Sequence, residues 1–256
     1  MNFQSVTLLH PISWIMASWR CLLANFGGWL LLTLMFLVGT AALLITPLIG
    51  FFVLVLLNPL LTAGLLHAAG KCCQQQLIHL EDLGYGFTEK SRRLRLFVLG
   101  LLMLGYVFAL VLALYPLSGA IYQNLYALGE PVPMSLLGYY FLHSHPLLTW
   151  LQSLAILAGI AGFGHSVVLV SEGGCSPLHA ISLSAQAFIT NIAPMSLLIL
   201  CGALLLFFST FAFGLGVLIT LPLACMINYC SYHDIYAPPP AATEQSAASI
   251  SQYPRQ

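Results

Sequence analysis

Of 256 residues, 60% are hydrophobic and only 5% charged, against roughly 25% charge in an ordinary soluble domain. That composition excludes a soluble globular protein, and the formal net charge of zero says nothing about partners. The apolar runs are continuous rather than short and alternating, so the spanning elements are helices and not the strands of an outer-membrane barrel.

Six runs approach the roughly 20 residues that a helix needs to cross a bilayer, at 29–46, 48–69, 96–117, 147–171, 195–212 and 215–235. The expected fold is all-α: a six-span transmembrane bundle with two interfacial amphipathic helices and an internal tandem repeat. Residues 1–8 lack a basic n-region, and the first long apolar run is followed at once by another, so no cleaved signal peptide is expected.

Residues 1–10 read as a short irregular arm. Pro11 suits the first turn of a helix, where a missing N–H costs nothing. From there Ile12, Ile15, Trp19, Leu22, Leu23 and Phe26 form an apolar stripe at helical spacing. An ungapped offset of 166 residues repeats it as Leu178, Ile181, Ala185, Phe188, Ile189 and Ile192. The same offset pairs Pro11 with Pro177, Ser18 with Ser184, Asn25 with Asn191, Gly50 with Gly216 and His67 with His233, matches that leucine-rich sequence does not produce by accident. Both stripes are too short to span and are predicted to lie in the interface, over 11–25 and 177–191, anchored in the first by Trp14 and Trp19. The repeat modules cover about 11–70 and 177–236, with spans three and four between them, in one membrane domain over 1–236.

Spans one and two are joined around Pro47-Leu48-Ile49-Gly50. Span two carries Asn58-Pro59, which removes a backbone donor and predicts a kink in mid-membrane. Broken helices line transporter sites, but a single Asn-Pro is more often architectural, with Asn58 capping freed carbonyls or bonding a neighbour. A mobile polar loop follows, with a short helix near 78–87. The segment 117–145 is the only sizeable external one. It holds an aromatic belt that includes Tyr122, Tyr126, Tyr139 and Tyr140, and a titratable pair, His143 and His145, read as a solvated turn.

Span four offers small residues at Ala155, Ala158, Gly159 and Gly162, which let another backbone approach. His165 follows as a hydrogen-bonded interhelical histidine, with a proton relay as the sharper alternative. Ser176 caps the next helix with Pro177 at its first position, and span six contains Pro222. His233 and Asp234 are placed at the cytoplasmic surface. Residues 237–256, rich in Pro, Ala, Ser and Gln, read as a disordered cytoplasmic tail.

All seven Lys and Arg (Arg20, Lys71, Lys90, Arg92, Arg93, Arg95 and Arg255) fall on one side of a six-span arrangement. The positive-inside rule therefore puts both termini in the cytoplasm. The basic loop 71–95 also contains Glu81, Asp82 and Glu89 and reads as a lipid-facing solvated segment rather than a nucleic-acid patch. The seven cysteines are expected to be reduced packing residues. His67, Cys72, Cys73 and His79 fit no common zinc spacing, so no metal and no cofactor is expected.

The turn Pro47-Leu48-Ile49-Gly50, the stretch Asn58-Pro59-Leu60-Leu61-Thr62-Ala63-Gly64, Gly86-Phe87, Ser176-Pro177 with Ala180 and Ser184, and Tyr232-His233-Asp234-Ile235-Tyr236 resemble an uncharacterised bacterial inner-membrane family. More distantly, the arrangement is similar to the membrane domain preceding the catalytic domain in some glycerophosphodiester phosphodiesterases. His233 departs from the arginine expected there before Asp234. The resemblance implies a six-helix inner-membrane protein and brings no catalytic residue.

Nucleophile elbows, intramembrane carboxylate pairs and phosphate-cradling glycine loops are missing from the sequence. The leading expectation is a non-enzymatic scaffold, anchor or regulator that works on membrane lipids or a protein partner at its cytoplasmic face. The alternative is a small carrier of neutral or lipidic molecules. An embedded enzyme using His165 or His233 comes third. The polar positions singled out are Asn58, Pro59, His165, Asn191, His233 and Asp234.

Overall fold

The structure, a computed structural model, describes residues 3–126, 146–211 and 215–236. Among them the regular elements are all helical: α1 His10–Ala24, α2 Phe26–Leu44, α3 Pro47–Cys73, a 3₁₀ turn at Leu80–Gly84, α4 Tyr85–Thr88, α5 Lys90–Tyr126, α6 Pro146–Phe163, α7 Ser166–Ser171, α8 Pro177–Thr190, α9 Ile192–Phe211 and α10 Val217–Tyr236.

Five helical stretches among the described residues are long and apolar enough to cross a bilayer: Phe26–Leu44, Ile49–Cys73, Lys90–Ala113, Trp150–Ser171 and Ile192–Ser209. Only 17% of the first, third and fifth is buried inside the protein, so their surfaces remain apolar and uncovered, as lipid-facing helices require. The sixth predicted span is the 20-residue α10, which does not join that set. Its second half runs through Asn228, Ser231, His233 and Asp234, and these polar residues lower its hydropathy. It packs against α1, α2, α3 and α9.

Two predicted boundaries change. Span four is two helices, interrupted at Gly164-His165. Span three continues as α5 to Tyr126, so the first ten residues of the expected external segment are helical; the rest of that segment, with His143 and His145, lies outside the described residues, as does the 237–256 tail. The helix α3 runs unbroken through Pro59, whose removed donor is tolerated within a packed helix.

Each short helix passes into its long partner through one asparagine. Asn25 separates α1 from α2 with φ −135° and ψ 38°, and Asn191 separates α8 from α9 with φ −110° and ψ 35°. The buried side of α1 is Pro11, Trp14, Ser18, Cys21 and Leu22. On α8 it includes Ala180, Ser184, Ala187 and Phe188, the counterparts of Trp14, Ser18, Cys21 and Leu22 at the same 166-residue offset. The stripe read from the sequence is therefore mostly not the face docked on the protein: Ile12, Trp19, Leu23 and Phe26 are exposed, and so are Leu178, Ile189 and Ile192. The helices carry two apolar faces. Small residues such as Ser18 and Ser184, both fully buried, mark the protein side because they permit close helix approach.

Glycines set several of the contacts. A Cβ on Gly50 would sit 1.7 Å from Leu43 O, and one on Gly216 would sit 2.6 Å from the Ser209 Cα, so each hairpin closes on the residue seven positions before it. The loop after α3 is docked rather than free. A Cβ on Gly64 would meet Leu83 O at 2.4 Å, and one on Gly86 would meet Leu60 O at 2.3 Å. Lys71 Nζ lies 2.5 Å from the buried Asp82 carboxylate, whose other oxygen accepts the His79 backbone N–H at 2.8 Å. His67 stacks on Tyr85 at 3.8 Å, and the Arg92 guanidinium covers the Tyr85 ring at 3.9 Å. In span four the space beside Gly159 is filled by the Tyr106 ring rather than by another backbone, and the Tyr106 hydroxyl donates to Ala155 O.

Candidate binding cavity

The break at Gly164-His165 exposes backbone groups that no intrahelical partner satisfies, and distant side chains take them up. Asn228 Nδ2 donates to Gly164 O at 2.8 Å. The His165 N–H donates to Ser184 Oγ at 3.1 Å, and the Ser184 hydroxyl donates to Ala161 O at 2.7 Å. The His165 imidazole Nε2 lies 2.9 Å from Ser231 Oγ. Ser231 Oγ also lies 3.0 Å from Asn228 O. Residues from α8 and α10 thus hold the gap open, and His165 is 8% exposed.

Beside this gap lies a cavity of about 370 Å³ between α6, α8, α9 and α10. It exists because α6 packs on α8 and α5 while α9 packs on α10, α1 and α8, so the two long helices diverge. Ile160, Met195, Leu198, Leu205, Val217 and Leu221 supply apolar walls, while His165, Asn228, Ser231 and Thr220 supply the polar groups. No Asp, Glu, Lys or Arg lines it. Gly202 faces open space, with nothing within 4 Å of where its Cβ would be. A concave apolar site with a few convergent hydrogen-bonding groups suits a neutral or amphiphilic molecule, and it offers no acid–base pair for catalysis.

The other sequence-derived positions lie apart from this cavity. Asn58 Oδ1 accepts from Thr62 Oγ1 at 3.4 Å within its own helix, with Pro59 beside it buried. Asn191 clamps the N-terminal arm: its Oδ1 accepts the Val6 N–H at 2.7 Å, and its Nδ2 donates to Gln4 O and Ala187 O. Asp234 Oδ2 accepts the Trp14 indole N–H at 2.5 Å. His233 is exposed and rests edge-on against Tyr229 and Tyr232. Of the suggested metal quartet, His67 is stacked on Tyr85 and Cys72 donates to Cys21 O. No group of three or more potential metal ligands forms among the described residues.

His165 is thus the one sequence-derived position that the structure brings into the cavity. Asn228 and Ser231 were missed. Both stand in the polar second half of α10, and that run of polar residues was their available signal. No family model matches the chain, and neither the curated proteins nor the solved structures give a match.

Proposed function

We propose that this is a six-span inner-membrane protein, built from a duplicated helix-and-hairpin module, that holds a neutral or lipidic molecule and has no catalytic chemistry of its own. The observation carrying the binding role is the uncharged cavity beside the interrupted helix at Gly164-His165. Irregular backbone at membrane depth is tolerated where it is buried in protein or lines a cavity, and such breaks line the sites of carriers. The scaffold reading draws on the uncovered apolar residues of the short helices, Ile12, Trp19, Leu178 and Ile189 among them, which suit an interfacial position. The cavity tips the balance toward binding.

Duplication is supported by the matched Asn25 and Asn191 junctions, the matched buried positions of α1 and α8, and the equivalent closures at Gly50 and Gly216. Six spans require α10 to cross despite its polar half. That reading, and the inner-membrane orientation with both termini cytoplasmic, rest on the one-sided distribution of Lys and Arg. Likeness to the uncharacterised inner-membrane family remains part of the same proposal. Native mass spectrometry of protein extracted in a mild detergent tests the binding role: a stoichiometric adduct of uncharged lipid mass supports it, and bare protein from several mild detergents counts against it.

A further inference from the structure

Two thiols from two helices meet at the end of the bundle that carries the basic loop. The Cys21 sulfur on α1 lies 4.0 Å from the Cys73 sulfur at the last residue of α3. The Cys230 thiol of α10 lies 3.9 Å from Ser18 Oγ on the same short helix as Cys21. The adjacent Cys72 thiol also reaches Cys21, donating to its backbone oxygen at 3.0 Å. Cys21 is buried and Cys73 is half-buried. The residues are 52 positions apart in sequence, so this approach is made by the fold. Packing alone asks only for small apolar groups there. Sulfur against sulfur at this separation also leaves about 2 Å to travel before an S–S bond length is reached.

We infer that Cys73 and Cys21 form a thiol pair that hydrogen peroxide oxidises to a reversible disulfide, pinning the short helix α1 to the end of α3. The Cys73 thiolate attacks one peroxide oxygen, so that an S–O bond forms as the O–O bond breaks, and the departing hydroxide takes up a proton and leaves as water. The Cys21 thiolate then attacks the sulfenic sulfur, the S–S bond forms, the S–O bond breaks, and hydroxide leaves as a second water after protonation. Two thiols give up two electrons and two protons, and one peroxide becomes two waters. Cys73 is given the first step because it is the more accessible of the pair, half-buried against a buried Cys21. The disulfide would fix how α1 leaves the bundle, since the same face of α1 is held two turns earlier by Trp14 and Asp234.

The test uses the full chain in detergent micelles, treated with hydrogen peroxide, denatured, alkylated and weighed intact. The expected result is a loss of two alkylatable thiols from the seven present, restored by dithiothreitol, with Cys21 and Cys73 peptides joined in the non-reduced digest. Cys73→Ala and Cys21→Ala should each abolish the loss, while Cys201→Ala should keep it. Should either of the first two variants fail to fold, the digest of the unmodified chain still decides. A disulfide to Cys72 or Cys230, links only between chains, or oxidation without any disulfide would overturn the assignment.

Discussion

Trp14 and Asp234, near opposite ends of the described chain, are joined by a 2.5 Å hydrogen bond from the indole N–H to the carboxylate. The indole is 2% exposed, so it has no water to turn to. The arm closes over the same point: Gln4 donates through its side chain to Asp234 O and through its backbone N–H to Ile235 O. Hydrogen bonds to charged groups contribute about 1.5–3 kcal/mol. Asp234→Leu should therefore lower the thermal midpoint of the purified protein clearly, and Asp234→Asn, which keeps an acceptor, should lower it less. Equal midpoints for the two variants would mean that the bond contributes nothing.

The loop docked on α3 depends on glycines at Gly64 and Gly86. At these positions a Cβ would lie 2.4 Å and 2.3 Å from backbone oxygens of Leu83 and Leu60. Neither oxygen belongs to a flexible side chain that could rotate away. Gly64→Ala and Gly86→Ala should each cost about 1–3 kcal/mol, as overpacking does, and should raise protease cleavage between 74 and 89. Gly39→Ala, with nothing within 4 Å, should be neutral in the same assay.

Tyr85 lies outside the spans, and its hydroxyl is pushed above the ordinary value of 10.0 by burial first and by the Glu172 carboxylate second. The folded state then holds the phenol proton more tightly than the unfolded state does. This contribution is fully present below about pH 10 and is lost as pH rises through the higher folded value. Tyr85→Phe keeps a ring for His67 to stack on and removes the proton. Its stability should fall less steeply above pH 10 than that of the unaltered chain, as read by thermal midpoints across pH 8–11.

Topology reporters test the reading with both ends inside. A periplasm-active reporter should work after Tyr126 and fail after Gln256, because this arrangement alone keeps the seven basic residues on one side. Activity after Gln256 would remove one crossing and leave α10 as a helix that does not span.

Helix positions were legible because apolar runs of bilayer length leave few alternatives, and Asn25 and Asn191 announced their junctions through the repeat. The docked face of α1 was not. In a membrane protein the largest apolar side chains serve the lipid as readily as the core, so Ile12, Trp19 and Leu23 drew attention while Ser18 and Cys21 carried the packing. The break at Gly164-His165 stayed hidden for a related reason: its backbone groups are satisfied by Ser184 and Asn228, and sequence periodicity carries no trace of partners 19 and 64 residues away. The loop was read as mobile from its polar residues, but the glycines that admit it, Gly64 and Gly86, act only in pairs with Leu83 and Leu60.

The cavity itself is tested most directly by filling it. Gly202 lines it and has nothing within 4 Å of its Cβ position, so Gly202→Phe adds a ring to empty space with little strain elsewhere. Native mass spectra of the two proteins, extracted side by side in the same mild detergent, should show a stoichiometric uncharged-lipid adduct on the original chain. The adduct should be gone from Gly202→Phe at an unchanged thermal midpoint. An adduct that persists unchanged in a folded Gly202→Phe protein would contradict the assignment of this cavity as the binding site.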